Sequence, residues 1–290
     1  MPCDYFLSVA GLIFQIATDR PLFVGASFRP FLTACGEPDI TATVSETEKL
    51  HAIPDTQIQT EMNYRFCADE NGNVYRFFYD EAEPMSPYAV VLCKFENGCV
   101  YAEYLESGAM CFTELQNTFY HLGFEALLIH KKRLYFHAAC IETHLGGILF
   151  SGPSGIGKST QAELWCKYRD ARQINGDRPI LQRTDDGWLA WGSPYAGSSR
   201  VYVNDSCSVT AIVMLRQAKE CSLRRLTAPE AFRAVWSGLT VHTWDEAFVT
   251  LACDLAMDLA AIVPVYEFCC TPDEYAVSYL EQALRKELCL

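Results

Sequence analysis

No stretch of this chain approaches the ~18 consecutive apolar residues of a membrane-spanning helix. That argues against a helical membrane protein. Basic charge is also scarce. There are 23 Lys and Arg against 36 Asp and Glu, a formal net charge of −13. Nucleic acid and anionic membranes reward a basic surface, so neither is expected as a partner. A nucleotide is not excluded, because a few local cations and backbone donors suffice to hold one. The start, Met1-Pro2-Cys3-Asp4, has no basic n-region, so the expected location is cytoplasmic. The 14 cysteines include no C-x-x-C pair and no His/Cys ligand spacing, and only Cys269-Cys270 are adjacent. In a long chain without a secretion signal, that pattern points to buried, reduced thiols rather than a disulfide framework. There is no internal repeat and no low-complexity tract. What is present is a globular composition. Half of the 290 residues are hydrophobic and 20% are charged, enough for one large core or two ordinary ones.

Residues 1–112 read as a β-rich domain. Tyr5 to Ala17 is mostly apolar and partly alternating. Asn71-Gly72 and Asn97-Gly98 suit the positive-φ turns of hairpins. Pro84 and Pro87 mark a loop. Residues 113–290 read as a second, mixed α/β domain. Thr113-Glu114-Leu115-Gln116 fits an N-cap with its capping-box partner, and Leu115, Phe119, Leu122, Ala126 and Ile129 continue one helical face. Arg133 to Ile141 reads as a strand. A tight turn at Thr143 to Gly146 then leads into a neighbouring strand ending at Phe150. Further on, Asp185-Asp186-Gly187 is a turn, Gly192-Ser193-Pro194-Tyr195-Ala196-Gly197 is a glycine-bounded loop, and Val209 to Leu215 is a strand. Helices open at Thr227-Ala228-Pro229-Glu230 and at Thr243-Trp244-Asp245-Glu246. After a strand from Val263 to Phe268, Thr271-Pro272-Asp273-Glu274 caps the last helix, with proline in its first turn.

The most informative stretch is Ser151 to Thr160. Gly152, Gly155, Gly157, Lys158 and Ser159 fit G-x-x-x-x-G-K-[ST], the Walker A or P-loop pattern. An apolar strand precedes it, and Ala162, Trp165, Cys166 and Arg169 follow at helical spacing. Glycines let backbone N–H groups turn toward phosphate oxygens, and the helix that follows offers its positive end to the same anion. The expected binding set is Gly152, Pro153, Ser154, Gly155, Ile156, Gly157, Lys158, Ser159 and Thr160. Lys158 would reach the β- and γ-phosphates of ATP, and the Ser159 hydroxyl would ligate Mg²⁺. Phosphoryl transfer also needs a carboxylate near the acceptor. Asp177 is the candidate, at the carboxyl end of the strand after the P-loop helix. Asn-Gly-Asp is also good turn chemistry. His137 is the candidate histidine. Arg178, Arg200, Arg224 and Arg225 are candidates to steady phosphate charge. Asp185, Asp186 and His144 read as turn residues, and Trp188 and Trp191 as packing.

Taken together, His137, the P-loop and Asn175-Gly176-Asp177-Arg178 resemble the C-terminal catalytic domain of HPr kinase/phosphorylase and its relatives. That family belongs to the phosphoenolpyruvate-carboxykinase-like branch of P-loop proteins. It shows a histidine on a strand, a short turn, a second strand and then G-x-S-G-I-G-K-S, as in Gly152 to Ser159 here. An aspartate pair follows the P-loop helix in that family, and its first member is usually cast as the general base. In this chain the pair reads Gly176-Asp177. Gly192 to Gly197 is similar to the G-[ST]-P-[WY]-x-G stretch of HPr-kinase-like proteins of modified-peptide clusters, some of which phosphorylate a peptide serine. The resemblance covers residues 130–285. It implies an α/β fold with a β-rich N-terminal domain ahead of a P-loop kinase domain, and an ATP- and Mg²⁺-dependent kinase acting on a serine of a protein or peptide. Ser159 and Asp177 would hold the metal, with Asp177 or His137 receiving the acceptor's proton. The alternative is a nucleotide-binding accessory or regulatory protein in which the missing aspartate has abolished transfer. A homo-oligomer is compatible with either.

Overall fold

A computed structural model describes residues 3–54, 56–61, 63–83, 85–94, 97–243 and 245–288. Met1, Pro2, Pro84 and Trp244, singled out above, lie outside these. By its internal contacts the mixed α/β chain divides into two units, Met1–His130 and Lys131–Leu290. No helix among the described residues is long and apolar enough to cross a membrane.

The first unit is built on one nine-stranded sheet. Its strands are β1 (Cys3–Val9), β2 (Leu12–Thr18), β3 (Leu32–Thr33), β4 (Ile40–Glu46), β5 (Thr56–Thr60), β6 (Tyr64–Ala68), β7 (Val74–Tyr79), β8 (Pro87–Lys94) and β9 (Cys99–Tyr104). They lie in the order β3-β1-β2-β4-β9-β8-β7-β6-β5. β4 runs parallel to both its neighbours, β2 and β9. In β2 every second residue, from Leu12 through Phe14 and Ile16 to Thr18, is buried, the period of a strand with one face on a core. The β6–β7 turn forms at Asn71-Gly72 as expected, and the Asp69 carboxylate accepts from the N–H groups of both Asn71 and Asn73 at 2.9 Å. Pro87 is not in a loop but opens β8, a position where its missing N–H costs no ladder bond.

The helix expected over residues 115–129 is broken. α1 (Leu115–Leu122) stops at Gly123, which adopts a left-handed conformation, and α2 (Glu125–Leu128) is a separate turn. The Arg76 guanidinium, from β7, donates to the carbonyls of Tyr120 and His121 and so satisfies the end of α1. The expected capping box at Thr113 is absent. Glu114 is the N-cap, and the Thr113 hydroxyl donates back to the Met110 carbonyl. Phe119 and Phe124 still pack on one another and on Phe14 of β2, so the apolar pattern was right although the helix is not continuous.

The second unit also has its strands in one sheet. They are β10 (Arg133–Tyr135), β11 (Ala138–Thr143), β12 (Gly146–Ser151), β13 (Arg172–Asn175), β14 (Ile180–Thr184), β15 (Gly187–Trp191), β16 (Ser206–Gln217), β17 (Ser222–Arg225) and β18 (Val265–Cys270). The single strand expected at 133–141 is therefore two. β10 pairs with β14, while β11 lies between β12 and β13. The long β16 takes β15 near its start, runs parallel to β12 along its middle and parallel to β18 toward its end. Ile148 and Phe150 of β12, with Ala211 and Val213 of β16 and Phe268 of β18, share one face of the sheet. On it pack Ala162 and Trp165 of α3 (Lys158–Arg169) and Val277, Leu280 and Leu284 of α6 (Glu274–Glu287). Arg169 locks the two helices together, with Nε 2.5 Å from Glu281 and a second nitrogen bonded to Ser278. Between them in sequence lie α4 (Ala228–Gly238), which opens where expected with a Thr227/Glu230 capping box, and α5 (Glu246–Ile262), capped by Asp245. The cap of α6 is Asp273, so Pro272 lies outside the helix rather than in its first turn.

Candidate functional site

The ends of β12 and β13 bring the sequence-selected residues together. The loop from Gly152 to Gly157 leaves β12 and delivers the chain to Lys158, the first residue of α3. Gly155 and Gly157 have φ of +76° and +114°, and a Cβ added at either would meet nothing within 4 Å. They are glycines because of backbone conformation, and the space beside them is open. The backbone N–H groups of Gly155, Gly157, Lys158 and Ser159 have no protein acceptor among the described residues. These are the orphan donors of a loop and a helix start. The Lys158 ammonium is buried and donates to the carbonyls of Gly152 and Pro153 at 3.1 and 3.2 Å.

Across from the loop stands the segment after β13. Asn175 is fully buried, and its side-chain amide oxygen accepts from the N–H groups of Asp177 and Arg178 at 2.9 and 2.8 Å. Asn175 therefore closes the turn, and the Asp177 carboxylate is not spent on its own backbone. The backbone of Asp177 pairs with the start of β11, where its carbonyl accepts from Ala138 at 3.0 Å. This sets Asp177 beside His137, with 3.4 Å between the His137 Nε2 and the Asp177 Oδ1. His137 is itself held through its backbone, by the carbonyl of Gly238 and the hydroxyl of Ser151.

These pieces line one cavity of about 300 Å³. Its walls are His137, Ser154, Gly155, Gly157, Lys158, Ser159, Thr160, Gly176, Asp177 and Ser198. Of the expected P-loop set, Gly152, Pro153 and Ile156 stand back from it. The first two offer carbonyls to Lys158, and Ile156 packs toward the α3 core. Burial pushes the His137 imidazole below its ordinary range, and the Lys158 charge adds to this while Asp177 opposes it. Burial likewise lowers the Lys158 ammonium, again against Asp177.

The remaining candidates separate clearly. Arg178 lies 3.8 Å from the Asp177 carboxylate and does not line the cavity. Arg224 is bound to Glu230 and Glu267. Arg200 sits in a left-handed turn residue and Arg225 on β17, both exposed. His144 is not simply solvated, since its Nε2 is 3.2 Å from Glu281. Trp188 and Trp191 donate to Asp258 and Gln182, consistent with packing. The twelve cysteines whose side chains are described are free, but of these only Cys67, Cys140, Cys207 and Cys270 are buried.

The glycine-bounded loop packs behind the site and places the residue that follows it, Ser198, on the cavity wall, which spacing alone did not reveal. Asn175 donates to the carbonyls of Ser193 and Tyr195, and the Ser193 hydroxyl donates to the Arg178 carbonyl. A Cβ at Gly197 would lie 2.9 Å from that of Asp177. A Cβ at Gly176 would overlap both side-chain atoms of Ser199. Position 176 thus has no room for a side chain while Ser199 stands where it does.

No family model and no curated protein matches this chain. Among solved structures it is similar to the Hpr(Ser) kinase/phosphatase from Coxiella burnetii. The two share 13% identity over 53% of this chain and 97% of that one, with a TM-score of 0.33. That likeness is distant.

Those residues fit a nucleoside triphosphate. Orphan N–H donors and a buried lysine meet a polyanion's needs. No group of three or more His, Cys, Asp or Glu side chains that could hold a metal exists among the described residues. Mg²⁺ does not require one, since it binds through one or two protein oxygens with phosphates and water completing its shell. Ser159 and Asp177 supply two such oxygens to the cavity.

Proposed function

We propose that this chain is an ATP- and Mg²⁺-dependent P-loop kinase that transfers the γ-phosphoryl group to a hydroxyl, a serine of a protein or peptide. The observation that carries the reading is the convergence of a phosphate cradle with His137 and Asp177 on a single cavity. Bound ATP supplies the phosphoryl group, and Mg²⁺ neutralises its developing charge. The chain's own residues do the rest. The N–H groups of Gly155, Gly157, Lys158 and Ser159 hold phosphate oxygens, and Lys158 exchanges its loop carbonyls for phosphate. Ser159 and Asp177 hold the metal. His137, kept neutral by burial and by Lys158, receives the acceptor's proton directly or shares it with Asp177. Serine is the acceptor that the family resemblance implies.

A second reading, a nucleotide-binding accessory protein without transfer, draws support from Gly176. The site has one carboxylate there, and Ser199 closes the space for another. Purified protein, labelled ATP, Mg²⁺ and serine-containing peptides separate the two. The expected result is label on a peptide, absent with Lys158→Ala. Nucleotide binding with neither transfer nor hydrolysis above that variant overturns the kinase and leaves the accessory reading.

A further inference from the structure

The cavity contains a hydroxyl that neither the cradle nor the proton-handling pair uses. Gly197–Ser199 forms one tight turn at the tip of the loop beside Asp177. Its serines are not equivalent. The Ser199 hydroxyl donates to Ala196 at 2.6 Å, and the Ser193 hydroxyl, earlier in the loop, donates to Arg178 at 2.6 Å. Ser198 is exposed, lines the cavity and makes no side-chain hydrogen bond among the described residues. The other hydroxyls of the cavity, on Ser154, Ser159 and Thr160, belong to the loop and helix start assigned to the phosphate cradle. An acceptor must approach in line, from the side away from the leaving oxygen. Ser198 stands on the wall that bears Asp177.

Resting on the kinase reading, we propose that Ser198 is a self-phosphorylation site, modified within the same molecule. The Ser198 oxygen forms a bond to the γ-phosphorus of a nucleoside triphosphate as the bond to the bridging oxygen breaks. The nucleoside diphosphate leaves with that electron pair, and the hydroxyl proton passes to Asp177 or His137. The product carries a phosphate dianion in the cavity that binds the nucleotide, so the mark competes with the next triphosphate and limits the enzyme.

The full chain is incubated with Mg²⁺ and ATP without added acceptor, then mapped by mass spectrometry. A single phosphoryl group on Ser198 is expected, formed at a rate per molecule that does not change with protein concentration. Lys158→Ala and Ser198→Ala lose the mark, and in Ser198→Thr it moves to the threonine. Labelling of an added peptide while Ser198 stays unmodified overturns this inference and leaves the kinase standing. Nucleotide binding without any transfer overturns both. A rate that rises with concentration overturns the intramolecular route. A readout without turnover is the affinity for a non-hydrolysable triphosphate analogue. Ser198→Asp is expected to bind it about tenfold or more weakly than the neutral Ser198→Asn, through like-charge repulsion. Equal affinities count against Ser198 facing the phosphates.

Discussion

At the scale of single residues the site divides its labour, and the division is measurable. In the proposed site Asp177 is separate from the backbone donors assigned to phosphate. Asp177→Asn keeps size and hydrogen bonding but not charge, so it is expected to retain nucleotide binding within a few-fold and to lower turnover by about 10²-fold or more. Titration calorimetry against steady-state rates checks this, and full activity in the variant would show that another carboxylate matters. His137 gives a pH test. Its pKa is held below the ordinary value of about 6.5 by burial and Lys158. It is therefore neutral at pH 7 and becomes charged only as pH falls through that depressed value. The acid limb of kcat/KM is expected below pH ~6.5, with activity kept above it and lost beneath it, and this limb should vanish in His137→Asn. A limb that lies above the ordinary histidine range contradicts the assignment. The same shift means that the folded state binds fewer protons here than the unfolded chain. His137 therefore costs stability as pH falls below that range.

At the scale of elements, the loop between β15 and β16 and the turn after β13 are a matched pair. Gly176→Ala forces a Cβ into Ser199, an overpacking expected to cost about 1–3 kcal/mol and to displace the loop from Asp177. Ser199→Gly in the same chain should recover part of that loss, which denaturant titration of the single and double variants would reveal. No recovery would mean that the two positions do not compete for space. Asp245→Ala removes the side-chain cap of α5 and is expected to cost about 1 kcal/mol.

The sequence announced those elements whose cause is local. Asn71-Gly72 makes its own turn, the Thr227/Glu230 box starts its own helix, and a strand with G-x-x-x-x-G-K-S makes its own cradle. It misled where the cause is remote. The apolar face of residues 115–129 runs past Gly123, but Arg76, in another strand, completes the helix end there. Lys158, Ser159, Asp177 and His137 were legible because motif spacing carries them. Ser198 was not, because only the packing of one loop on a bare glycine brings it to the cavity. For the same reason Asn175 looked like part of a turn rather than the residue that frees Asp177.

At the scale of the whole molecule, two units with their own cores need not melt together. The cavity is made entirely of second-unit residues, so a bound nucleotide should act on that unit's transition. Saturating Mg²⁺ and ATP analogue, at 100 times Kd, adds about 2.7 kcal/mol to whatever binds it. Differential scanning calorimetry should show that shift in the second unit's transition alone. A shift of equal size in both units would mean that binding draws on both. Within the second unit, β16 meets three neighbours in turn, β15, β12 and β18. An isotope-exchange experiment gives this a further meaning. From Ile212 to Met214 that strand is paired on both edges, with β12 on one side and β18 on the other, so each amide there is covered whichever way its N–H points. Those protons are expected to be the last to exchange in the unit, and their rate reads out its full unfolding free energy rather than any local breathing.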